Sequence, residues 1–73
     1  MIALRNTDRG FSRGEFWDRY NRPCSIQESS LATEQCIWLG CDEGNSVRMH
    51  LTQAMAAELI PLMQHFVETG RLS

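Results

Sequence analysis

The sequence predicts an α+β fold: an antiparallel sheet of three to four strands followed by one long C-terminal helix packed on one face. Three observations predict it. Ile37, Leu39 and Cys41 alternate with Cys36, Trp38 and Gly40, the period-two pattern of a strand with one apolar face. Val47, Met49 and Leu51 alternate in the same way with Arg48 and His50. After Thr52 the period changes to about 3.6, which puts Met55, Leu59, Leu62, Met63 and Phe66 on one side of a helix. A strand feeding a helix that folds back over it is the minimal core of such a domain.

Residues 1–14 are polar, with Gly10 and Gly14 on either side of Phe11. They read as an N-terminal arm, with room for a short strand around Ile2–Leu4, and residues 15–73 as the single folded domain. Ser12 to Tyr20 carries two signals. Ser12 with Glu15 three residues on fits a capping box. Phe16, Asp18 and Tyr20 alternate with Trp17 and Arg19, and the aromatic content favours a strand. We take the strand, closed by a turn at Asn21, where a left-handed residue is wanted, before Arg22-Pro23. Cys24 to Ser30 forms the next strand, with Cys24, Ile26 and Glu28 on one side. Glu28 is the weak member of that side and is expected near an edge. Leu31 and Ala32 are expected to tuck under the connection to Gln35–Cys41. Asp42-Glu43-Gly44-Asn45 is a turn by composition, and Val47–Leu51 is the last strand. Thr52 can cap a helix over about Gln53–Thr69. Pro61 either kinks that helix or splits it; the apolar phase continues across it, which favours a kink. Gly70 is the stop signal.

Seventy-three residues make one domain whose core rarely supplies more than about 3–5 kcal/mol. All seven basic residues are arginine. Residues 1–23 carry a net charge of +2 and residues 24–73 a net of −4. An overall charge of −2 weighs against binding duplex DNA, which depends on cationic surface. The three cysteines, Cys24, Cys36 and Cys41, form an odd set, expected to be reduced thiols. The N-terminus lacks an apolar signal core, and no run approaches the roughly 18 apolar residues of a membrane span. A soluble, cytoplasmic protein with no membrane partner is expected.

Phe16-Trp17-Asp18-Arg19-Tyr20, Cys24-Ser25-Ile26-Gln27-Glu28-Ser29-Ser30-Leu31-Ala32, Ile37-Trp38-Leu39-Gly40 and Arg48-Met49-His50-Leu51-Thr52 together resemble small proteins encoded by tailed phages and prophages of Gram-negative bacteria. The resemblance continues through Leu59-Ile60-Pro61-Leu62 and Phe66-Val67-Glu68-Thr69-Gly70, and covers roughly residues 15–72. It implies a phage-type accessory protein acting in the bacterial host cytoplasm. Such proteins are often inhibitors of host defence, by occluding a protein partner or sequestering a nucleotide signal. The alternatives are a phage structural or assembly factor and a small nucleic-acid-binding regulator. The resemblance carries no catalytic residues with it.

The residues themselves point away from an enzyme. A cysteine nucleophile with His50 or His65 as base would need an enclosed, oriented pocket that so small a domain hardly provides. Cys24, Cys36, Cys41 and His50 lack the close Cys-Cys spacing of a zinc knuckle. No phosphate loop or dinucleotide fingerprint occurs. We therefore expect no cofactor, no metal and no catalytic residue. With Ile37, Leu39, Val47, Met49 and Leu51 facing the helix, Trp17, Arg19, Ser25, Gln27, Ser29, Trp38, Arg48 and His50 face away from it. Two bare tryptophans among arginines mark an interface. Its expected occupant is a second copy of the chain, giving a dimer or larger homo-oligomer, with a host defence protein or a nucleotide as the other candidates.

Overall fold

In the computed structural model, which describes residues 2–30, 33–44 and 48–73, Leu4–Asn6 (β1), Ser12–Trp17 (β2), Pro23–Ser30 (β3) and Gln35–Cys41 (β4) form one antiparallel sheet in chain order. The helix Gln53–Thr69 (α1) follows and packs on one face. This is the expected α+β arrangement.

The first two hairpins use the same device. In the first, Thr7 N–H donates to Phe11 O at 2.7 Å and Gly10 N–H to Thr7 O at 2.8 Å. In the second, Asp18 N–H donates to Arg22 O at 3.1 Å and Asn21 N–H to Asp18 O at 3.0 Å. Gly10 (φ +83°) and Asn21 (φ +59°) each take the left-handed conformation that returns the chain to the ladder. The turn expected at Asn21 is present. The segment read as strand or helix is strand from Ser12 to Trp17, and the turn begins at Asp18.

The stretch expected as an N-terminal arm contributes to the sheet: Leu4 pairs with Gly14, Arg5 with Arg13 and Asn6 with Ser12. Gly14 permits this. A Cβ there would stand 2.6 Å from Ile2 Cγ2 and 3.1 Å from Leu4 Cδ2, so a larger residue would force these side chains to shift.

Ile26, Leu59 and Leu72 form the buried centre, with Ile2, Leu4, Phe16, Ile37, Leu51, Leu62 and Phe66 packed around it. Met63, expected in this set, is 37% exposed and lies beside it, in a trough with Leu39 and Leu51. Glu28 does share the apolar face but sits on β3, an interior strand, not near an edge. Its burial is tolerated because every face of the carboxylate is occupied. Arg71 Nε and Nη2 donate to it at 2.9 and 3.1 Å, Ser12 N–H at 2.8 Å and Leu72 N–H at 2.7 Å. Burial alone would raise its pKa; the Arg71 bonds and the two backbone donors override this and hold it at about 2.

Thr52 caps α1 as expected, its hydroxyl accepting from Met55 N–H at 3.2 Å while its own N–H meets Met55 Sδ at 3.5 Å. The helix passes through Pro61 as one element. The carbonyl that Pro61 cannot serve belongs to Ala57, an exposed residue, where water can replace the bond. Gly70 (φ +78°) ends the helix, its N–H donating to Phe66 O at 2.7 Å. No described helix is long and apolar enough to cross a membrane.

The strand expected over Val47–Leu51 is the second correction. Ser46 and Val47 lie outside the described residues, as do Leu31 and Ala32. Arg48 to Thr52 form no strand. Their backbone groups are taken by the β2–β3 hairpin: His50 N–H donates to Asp18 Oδ2 at 3.0 Å, Arg19 N–H to His50 O at 2.8 Å, and Arg22 Nη2 to Arg48 O at 2.6 Å. The residues alternate, but the His50 N–H goes to a buried carboxylate and not to a sheet edge.

Candidate functional site

Strand register sorts the expected face residues. Arg13, Gln27 and Trp38 stand in one row across the sheet, Glu15, Ser25 and Gly40 in the next, and Trp17 is opposite Pro23. Trp17, Ser25, Gln27, Ser29 and Trp38 therefore share the face away from α1. Arg19, Arg48 and His50 do not: Arg19 lies in the β2–β3 turn, and Arg48 and His50 lie in the segment docked on it. The displaced segment carried them off the sheet.

The outer face also contains residues the sequence reading left out. Arg13 Nη1 donates to Gln27 Oε1 at 2.8 Å and Arg13 Nη2 to Asp42 Oδ2 at 3.3 Å. Ser25 Oγ donates to Asp42 Oδ1 at 2.5 Å, and Arg5 Nη2 pairs with Glu15 Oε1 at 3.0 Å. Arg13, Glu15 and Trp17 share one parity along β2. This network neutralises the two arginines and stiffens the middle of the face. The tryptophans remain bare at its corners, Trp17 61% and Trp38 69% exposed. Two strands and four residues separate them. At about 4.8 Å per strand and about 3.3 Å per residue this is ~16 Å.

A different site lies beyond the end of the sheet. Tyr20, Arg22, Arg48, Met49 and His50 line a cleft of about 520 Å³. The Tyr20 and His50 rings lie 4.7 Å apart, and Arg22 Cζ is 5.4 Å from the Tyr20 centroid. Asp18 organises this end. Its Oδ1 accepts from Tyr20 and Arg22 N–H, both at 3.0 Å, and its Oδ2 from Arg22 Nη2 at 2.7 Å, Arg22 Nε at 3.0 Å and the His50 N–H. The Arg22 guanidinium, first among these donors, holds the carboxyl well below the usual range.

Cys24 and Cys41 are paired across β3 and β4, with Sγ atoms 3.5 Å apart. Together with Asp18 they place three donor atoms within 4.8 Å of one another. The set suits a metal poorly, because Asp18 already accepts from three backbone N–H groups and from two nitrogens of the Arg22 guanidinium, a cation. Cys36 is opposite Ser29, so it does not join them. Burial, reinforced by the neighbouring Cys41, pushes the Cys24 thiol up to about 12, so it stays protonated and unreactive. We expect a maleimide added to the native chain at neutral pH to modify Cys36 well before Cys24, as read by peptide mass spectrometry. Equal rates would contradict the burial of Cys24. Comparison with known proteins finds no matching family model, no matching curated protein and no matching solved structure.

Proposed function

We propose that the chain is a non-enzymatic, phage-type accessory protein that acts by binding, as an inhibitor of a host antiviral defence system in the bacterial cytoplasm. The observation that carries the binding reading is the pair of exposed tryptophans on one stiffened sheet face. Bare tryptophans around a shared polar centre match the anchors of a protein interface. The same geometry disfavours a nucleotide on that face. Stacked rings lie about 4.5–7 Å apart, so one base cannot reach two tryptophans ~16 Å apart. The arginines there are also engaged by Glu15 and Asp42. Occlusion of a host protein is thus the favoured mode.

Sequestration of a nucleotide signal is the second reading, and it belongs to the other site. The cleft of Tyr20, Arg22, Arg48 and His50 has a volume within the ordinary small-molecule range and combines rings with cations. The two modes separate in a thermal-shift assay. A sequestered nucleotide at about a hundredfold over its Kd should raise Tm by roughly 10 °C or more, and Arg48→Ala should remove the rise. An occluding protein should ignore nucleotides.

The role itself is tested by plaque counts. The chain is expressed in strains that each carry one defence system, and plaquing should recover in at least one of them. A phage that lacks the chain and fails even in hosts without defences would mark an assembly factor instead.

A further inference from the structure

We infer that the edge of β4 left unpaired among the described residues, together with the outer stripe of α1, is a self-association surface that joins two copies of this chain about a two-fold axis into one continuous sheet. The inference rests on the β4 edge and not on the target-binding reading; with the face the sequence suggested for self-association it shares Trp38 but not Trp17.

The main chain gives the first argument. Asp42 N–H donates to Pro23 O at 2.9 Å, so residues 42 and 23 are a hydrogen-bonded pair. Cys41 and Cys24, one step along, are then a non-hydrogen-bonded pair, and the alternation continues down the ladder. It follows that the N–H and C=O groups of Gln35, Ile37, Leu39 and Cys41 point away from β3. Among the described residues no strand pairs with them. The segment expected to do so, around Arg48–Leu51, is held by Asp18 instead.

The second argument is how the two edges of the sheet differ. β1 is three residues long and carries Arg5, which blunts it. β4 has seven residues, QCIWLGC, with no charge and no proline. An edge of that kind is a template for another strand. Antiparallel pairing of β4 with itself places no charge within either strand against another, and an axis through Trp38 pairs its full length.

Side chains on both faces of the edge supply the third. On the α1 side, Ile60, Met63 and Val67 follow an i, i+3, i+7 stripe, with Ile60 64% and Val67 76% exposed. With Leu39 and Leu51 they line an apolar trough of about 340 Å³. Joining two β4 edges brings two such stripes face to face. On the outer side, the same axis sets Trp38 beside its copy and leaves Trp17 at the far ends.

Light scattering together with amide exchange by NMR tests this. The wild-type chain should give twice the 8.4 kDa subunit mass, with slow exchange at the Ile37 and Leu39 amides. Val67→Glu should halve the mass, free those amides and leave the far-UV circular dichroism unchanged, since Val67 is exposed in the subunit. Trp17→Ala should remain dimeric. A wild-type monomer at high concentration would overturn the inference. So would a dimer with freely exchanging Ile37 and Leu39 amides, or one that survives Val67→Glu and is lost in Trp17→Ala.

Discussion

Replacing Asp18 with asparagine should lower the melting temperature by roughly 15 °C or more, the largest loss expected from any single change in this chain. The carboxylate is buried at the head of the β2–β3 hairpin and accepts the Arg22 guanidinium and three backbone N–H groups. Asparagine keeps the shape but removes the charge, and its amide nitrogen is a donor facing donors. The damage should be local as well as global. The His50 amide, which donates to Asp18, should lose its exchange protection, and the cleft of Tyr20, Arg48 and His50 should open. Thermal melts and amide exchange check both parts. A variant with an unchanged melt would mean that the hairpin holds its shape without the charge.

Glu28→Gln is expected to cost about 3 kcal/mol, because Ser12 and Leu72 N–H and the Arg71 fork meet a group that can no longer accept from all of them. That is a large share of the about 4–11 kcal/mol total typical of a domain this size. The same residue gives a pH dependence whose sign is fixed. Its pKa is about 2 folded against an ordinary 4.5, so the unfolded chain binds more protons between those values. The stabilisation is complete above about pH 5 and disappears as pH falls toward 2; Asp18, also depressed, adds to the same acid limb. Urea unfolding across that range should show a steep decline for the wild type and a shallower one for Glu28→Gln. Parallel declines would contradict the assignment.

Both residues show where the sequence could and could not be read. The β4 alternation, the Thr52 cap, the Gly70 stop and the Asn21 turn were legible because each depends on neighbours within a few positions. Glu28 looked like a flaw because its partner Arg71 is 43 residues away. The Val47–Leu51 alternation is equally local and yet misleading, since a carboxylate from a distant hairpin takes the His50 N–H. The same event decided the candidate face. Trp17, Ser25, Gln27, Ser29 and Trp38 share one strand parity. Arg48 and His50 followed the displaced segment to the Tyr20 cleft, while Arg13 and Asp42 join the face through their bonds to Gln27, Ser25 and each other.

The most direct test of the binding account compares the wild-type chain with Trp17→Ala in the plaque assay. Trp17 is 61% exposed and belongs to neither the core nor the β4 edge, so its loss should leave fold and mass intact. The account predicts that the wild type restores plaquing against at least one defence system and that Trp17→Ala, equally folded, does not. Full activity in Trp17→Ala would contradict it.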